Sequence, residues 1–350
     1  MSIDLNNTRT LLAVLEQSYT PSTLFRDTFF PNERTFVTPE VDMEYRKGGR
    51  EMAPFIVPGT RGVNTSRGGF TTKSYKPPMM KPKRIVTADD LNKRAFGENL
   101  YSQRTPAQRE AEIMAKDLAD LTDMNVRRME WMCAQVLLNG KFDAAGYADD
   151  GELTLVDTIT FSDWTQKETL SGSDTWDNAS ADIYGDLKSI SQKISRNAGM
   201  HPTIAIFPYN VEDYLLKNTD IMKWLTVPNS QNLTLMSLQP RIVSPGVRRI
   251  GYIQSLDLEL YAYDGIYTDS TGQIQQYIPD DHVIVGVPGR GMQLFGAITQ
   301  IEGKTYVTYE GKQVPKVTVN EEDDIKSLAL SSRGVPCPRF VDDWFTLKVK

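Results

Sequence analysis

Residues 105–141 read TPAQREAEIMAKDLADLTDMNVRRMEWMCAQVLLNGK, and the rest of the chain is organised around this stretch. Thr105 stands as an N-cap ahead of Pro106 at the first helical position, with polar Gln108 in the first turn. No glycine or proline follows until Gly140, where a helix-ending glycine belongs. The spacing predicts a helix of roughly 34 residues, about 50 Å long at about 1.5 Å per residue. Ordinary globular helices run about 8–20 residues. Met114, Leu118, Leu121, Met129, Met132 and Val136 recur at helical spacing and form one apolar stripe, which Asn125 interrupts. Arg109, Glu112, Lys116, Asp120, Asp123, Arg127 and Arg128 occupy the other faces. Such a helix is expected to lie across a surface as a strut, buried on one side only.

The 350 residues allow two domains, or one with long excursions. A hydrophobic content of 40% with 24% charged residues is ordinary for a soluble folded protein. No apolar run of about 18 residues occurs, so no membrane span is expected. The opening MSIDLNNTRTLLAVLEQS carries Asp4 and no small-residue cleavage site behind a long apolar core. That argues against a secretory signal and for synthesis in a reducing cytosol. Cys133, among Trp131, Met132 and Ala134, reads as a small buried hydrophobe, and Cys337 is held between Pro336 and Pro338. Neither belongs to a zinc-type Cys/His spacing.

Charge is spread unevenly. Between Arg46 and Arg84 ten basic residues (Arg46, Lys47, Arg50, Arg61, Arg67, Lys73, Lys76, Lys81, Lys83, Arg84) face one acid, Glu51. The whole chain is −6, so a segment at about +9 leaves about −15 for the remainder. Phosphate contact would suit the basic segment, since counterion release rewards clustered Lys and Arg. Contact with an acidic protein surface suits it better. No nucleic-acid module is present, and Phe55, Phe70, Tyr75, Met79 and Met80 are interface-type residues. A basic loop on an acidic body favours association between copies of the chain.

Taken in order, Thr8 to Gln17 forms a short amphipathic helix with Leu11, Leu12, Val14 and Leu15, too short to stand alone. Leu24, Phe25, Phe29 and Phe30 follow as an apolar cluster that needs a surface to cover, in the same subunit or a neighbour. Thr35–Thr38 and Val41–Tyr45 alternate as strands. Ala53–Pro58 and Phe70–Tyr75 read as two strands of a long protruding hairpin with a glycine-rich basic tip, marginal in water without support. After the long helix, Leu153–Phe161 alternates as a strand. Ala181–Asn197 is an amphipathic helix with Ile183, Leu187, Ile190 and Ile194 on one face, ended by Gly199. Thr203–Phe207 is a buried strand and Val211–Leu216 begins a helix reaching toward Trp224 and Leu225, the alternation of an α/β unit. Beyond Ile242 the pattern is mostly strand, and the tail from Ser327 reads as strand, a Pro336/Pro338 break, then strand.

Catalytic signatures are sparse. The sequence holds no P-loop, GxSxG or HExxH motif. Asp280, Asp281 and His282 could ligate a metal or serve a hydrolase, but a solvated turn before a strand explains them more simply. Glu321–Asp324 lacks the ligand spacing of a calcium loop, and Gly289 and Gly291 read as a hairpin turn. No catalytic residue, cofactor or metal ligand is expected.

The order of parts, an apolar arm, a basic hairpin, a spine-like helix, an α/β unit and a strand-rich tail, resembles the major capsid proteins of tailed bacteriophages, which share the Hong Kong 97 fold. Phe29-Phe30, the Thr35–Thr38 and Val41-Asp42 strands, Ala53–Pro58, Leu137–Gly140 and Ile194–Gly199 are most similar to the lambda-type major capsid (head) protein family. The resemblance implies an α+β chain with an N-terminal arm over 1–44 and an extended basic loop (E-loop) over 45–88. A peripheral (P) domain over 89–164 would hold the spine helix 106–140. An axial (A) domain would span 165–304, with a return to the P domain and a C-terminal tail over 305–350. E-loop contacts to a neighbour would come from Arg46, Lys47, Arg50, Arg61, Arg67, Phe70, Lys73 and Lys76, and arm contacts from Leu11, Leu15, Phe25, Phe29 and Phe30. Hexamers and pentamers would form an icosahedral shell enclosing double-stranded DNA without sequence-specific binding. Made and assembled in the host cytoplasm, the virion protein would work with a separate scaffolding protein and a portal, and the resemblance allows a decoration protein. An encapsulin-type compartment, the same fold enclosing enzymes, is the alternative; a hydrolytic enzyme is the remote one.

Overall fold

The computed structural model describes residues 23–46, 71–92, 105–147, 153–161, 163–218, 236–244, 246–322 and 324–350, with positions 52, 53, 55, 61 and 64 between them. The helix foreseen at 106–140 runs Pro106–Asn139. Thr105 and Gln108 close a capping box at its start, each side chain bonding the other's backbone N–H. At its end Gly140 takes φ +64°, the left-handed conformation that glycine adopts without steric penalty, and its N–H returns to the Val136 carbonyl.

The two halves of this helix live in different surroundings. In the first, Leu118 and Leu121 meet Leu328 and Leu330 of a three-stranded sheet formed by Val314–Asn320, Ile325–Ser331 and Lys83–Thr87. Asn125, the break in the stripe, is buried and donates to the Leu330 carbonyl at 3.4 Å, so its polarity is used inside the contact. Past Val126 the picture of a one-sided strut fails. Met129, Glu130, Met132, Cys133, Ala134, Val136, Leu137 and Leu138 are all buried, because the chain wraps this half on both sides.

What wraps it is chiefly a seven-stranded sheet in the order Lys167–Thr169, Trp344–Lys348, His282–Gly286, Ile204–Phe207, Leu258–Tyr263, Val247–Ile253, Met236–Ser244. The strand period of two divides its side chains between two cores. Ala205, Phe207, Val283, Val285, Phe345 and Leu347 point to one face, covered by helices Ile183–Ala198 and Tyr209–Lys217. Ile206, Ile284 and Trp344 point to the other, where they meet the long helix. Trp344 Nε1 and Thr346 Oγ1 both donate to the Leu137 carbonyl, at 3.0 and 2.7 Å. Leu137 lies in the last helical turn, whose carbonyls have no partner within the helix.

Several expectations need correction. The first strand is Asn32–Thr35 rather than Thr35–Thr38; it pairs in parallel with Met292–Phe295, and Val37 is exposed beyond it. Strand Thr71–Tyr75, expected to pair with 53–58, is paired with Val41–Tyr45, whose Val41, Met43 and Tyr45 are buried. Ala53 and Phe55 carry no strand, and the rest of that stretch lies outside the described residues, as do Thr8–Gln17, Trp224 and Leu225. Val287–Gly291 is not a hairpin turn, since the strands flanking it belong to different sheets. Pro336 does not break the tail but sits inside strand Gly334–Cys337, an edge strand where its missing N–H is tolerated. The tail itself divides. Ile325–Ser331 packs by the first half of the long helix, whereas Trp344–Lys348 enters the seven-stranded sheet.

Candidate functional site

The paired strands Val41–Tyr45 and Thr71–Tyr75 form a base from which the basic segment leaves and to which it returns, with Tyr45 opposite Thr71. Tyr45 is fixed edge-on to Phe161 at 5.7 Å. Lys73 is exposed, lies over the Tyr45 ring and reaches the Thr160 carbonyl at 3.3 Å. Arg46 bridges to Phe340, and Arg290 stacks on that ring at 4.0 Å while pairing with buried Asp343 at 3.0 Å. Burial pushes the Asp343 carboxyl up to about 7, against the pull of Arg290.

Beyond this base Met52 and Phe55 are fully exposed, at 86% and 101%, and Arg61 is exposed. Large apolar side chains held in water on a basic segment mark a surface that gains by being covered. Lys76, Lys81 and Lys83 are exposed too. Arg84 is not available for such a contact: it pairs with Asp117 at 2.7 Å and Asp120 at 2.8 Å on the long helix of its own chain. Lys47, Arg50, Arg67 and Phe70 lie outside the described residues.

The arm residues are placed differently from the expectation that they contact a neighbour. Phe25, Phe29 and Phe30 are buried in their own chain, at 0, 5 and 1%. The backbone around them is threaded into the body: Gly289 and Gly291 N–H donate to the Thr28 and Phe29 carbonyls, and Gln293 Nε2 donates to Phe30 O. Rings buried this deeply in their own chain are not offered to a neighbour. Leu11 and Leu15 lie outside the described residues. All six stripe residues, Met114, Leu118, Leu121, Met129, Met132 and Val136, are buried.

One buried group went unnoticed in the sequence. Glu130, on the long helix, is 0% exposed. Its Oε1 accepts from the backbone N–H of Leu24 (2.9 Å) and Phe25 (2.8 Å) and from the Tyr263 hydroxyl (3.1 Å); its Oε2 accepts from Arg26 N–H at 2.9 Å. Burial pushes its carboxyl up while the four donors oppose that shift. The signal was a lone acid one turn from Val126, Cys133 and Ala134, on a second apolar face of the helix.

Asp280, Asp281 and His282 do not converge on a site. Asp281 accepts from Asn210 and the Tyr214 hydroxyl, and His282 turns back to the Asp280 carbonyl. Among the described residues no three His, Cys, Asp or Glu side chains are grouped to hold a metal ion, and no helix is long and apolar enough to cross a membrane.

A model of the family described as phage major capsid protein E matches residues 7–349. The chain belongs to that family. This capsid protein is 24% identical over 331 residues to the major capsid protein of Escherichia phage lambda, covering 92% of each chain. It is 23% identical over 354 residues to that of Enterobacteria phage P21, covering 98% of each. The crystal structure of a prophage capsid protein from Escherichia coli CFT073 matches with a TM-score of 0.70 at 20% identity, over 98% of this chain and 99% of that one. A subunit of the mature bacteriophage PhiM1 capsid matches at 0.50 and 11% identity, over 95% and 88%. The fold is the α+β Hong Kong 97-like one, and the capsid protein's place is the virion.

Proposed function

We propose that this capsid protein assembles as hexamers and pentamers into an icosahedral phage head around double-stranded DNA, and that it carries no catalytic activity. Residues 45–88 act as the E-loop that lies on a neighbouring subunit, 106–140 as the spine of the P domain, and 165–304 as the main part of the A domain. The observation that supports this most is the paired base at 41–45 and 71–75, which launches a basic segment holding exposed Met52, Phe55 and Arg61. A hairpin of this kind is marginal in water by itself and gains by settling on another chain, here an acidic one. A scaffolding protein and a portal complete the assembly, which allows for a decoration protein. The acidic balance of the body lets DNA enter and leave without being gripped.

Reversing Arg61, Arg67, Lys73 and Lys76 to Glu tests this. The subunit should stay folded by circular dichroism, and electron microscopy should find no shells. Unchanged shell formation would refute the role of the loop. Mass spectrometry of parent particles distinguishes a phage head from a compartment, because one enzyme recurring inside every preparation would favour the latter.

A further inference from the structure

Three parts of the subunit meet at the Glu130 carboxylate: the long helix that carries it, the entering segment through the N–H groups of Leu24, Phe25 and Arg26, and the seven-stranded sheet through the Tyr263 hydroxyl. Rings tighten the same junction. Phe25 stands edge-on to Tyr263 at 5.4 Å, Tyr263 stacks on Tyr277 at 6.0 Å, and the Tyr277 hydroxyl returns to the long helix at the Arg127 carbonyl, 3.4 Å away. Among the described residues no cation pairs with the carboxylate; Arg26 is engaged with Asp27 at 2.9 Å. Desolvation of the buried charge offsets much of what its four hydrogen bonds contribute, so its net effect on stability is smaller than the bond count suggests. What it adds is direction, since two oxygens accepting four donors admit one orientation of all three parts.

We propose that Glu130 is a positioning residue for assembly, whose carboxylate fixes the angle at which the entering segment and the seven-stranded sheet meet the long helix. The angle sets the curvature each subunit brings to a shell, so this inference rests on the shell assembly proposed above. Glutamine has the same shape, but it can keep the three donors at one oxygen only by turning its amide nitrogen toward Arg26 N–H.

The test uses full-length chains carrying Glu130→Gln, Glu130→Leu or Tyr263→Phe. Hydrogen exchange is measured on unassembled subunits and particle diameters by electron microscopy. In Glu130→Gln the Arg26 amide should exchange faster by about tenfold or more, with the amides of 126–138 unchanged. Glu130→Gln and Tyr263→Phe should form particles of broadened or shifted diameter, Tyr263→Phe the least. Glu130→Leu, which orphans four buried donors, should give the broadest particles or none. Uniform particles of parental diameter from Glu130→Gln and Glu130→Leu would overturn the proposal, as would unchanged exchange at Arg26. A parent chain that forms no shells would overturn the shell reading itself, a failure distinguishable because the exchange readout needs no assembly.

Discussion

Replacing Gly334 with alanine puts a methyl where the structure has no room. A Cβ built there lies 2.3 Å from Met129 Cε and 2.8 Å from the Phe295 ring, both far inside contact distance. Met129 can yield, since its terminal methyl is the free end of a flexible side chain, but Phe295 is only 5% exposed and held between strand and helix. Overpacking of this kind costs about 1–3 kcal/mol. Met129→Ala alone empties a buried site and costs about 2–5 kcal/mol. In the double variant the new methyl occupies part of the space Met129 vacates, while the Phe295 contact remains. The pair should therefore be less damaging than the sum by about 0.5–3 kcal/mol. Equilibrium urea unfolding of unassembled subunits, followed by tryptophan fluorescence at matched m-values, measures each corner of the cycle. Strict additivity, or a Gly334→Ala variant as stable as the parent, would refute the close approach of the edge strand to the long helix.

Gly140→Ala combines a left-handed φ with a Cβ 2.5 Å from the Trp164 ring, and the denaturation midpoint should fall by the equivalent of about 2–4 kcal/mol. Asp343 is raised to about 7, whereas an unfolded aspartate titrates near about 4. The folded state thus holds this proton more tightly, and its contribution to stability falls as pH rises from about 4 to about 7. Subtracting the pH–stability curve of Asp343→Asn from that of the parent should leave that downward slope, and a flat difference would contradict it. Cys133 and Cys337 are buried, with Cys337 pushed up to about 12 by burial, so thiol reagents should label both only at the rate of unfolding. Prompt labelling of the native subunit would contradict their placement.

The long helix was legible because everything that defines it is local: Thr105, Pro106, an uninterrupted run, and Gly140. The same holds for Ile183–Ala198, whose apolar face and Gly199 stop are written within one stretch. Strand pairing is not local, and there the sequence misled. Nothing in Thr71–Tyr75 says that its partner is Val41–Tyr45 rather than a nearer run, because both candidates satisfy a period of two. The second buried face of the helix was hidden for a related reason. Cys133 reads as buried from the sequence, but Ala134 and Leu137 look like ordinary helix formers until the sheet that covers them is in place. Of the site, the basic segment was visible as charge, whereas Arg84 could be removed from it only by knowing that Asp117 and Asp120 lie opposite. Phe25, Phe29 and Phe30 were evident as sticky residues, but hydrophobicity does not say whose surface it will meet.

The placement of Trp344–Lys348 has a consequence in time. This strand lies between Lys167–Thr169 and His282–Gly286, so the main sheet stays open until residue 348 has been synthesised. Contacts of such long sequence separation form late. On the ribosome the nascent subunit would lack the strand that joins its sheet to the Leu137 carbonyl. Emergence of this strand therefore acts as the step that closes the sheet.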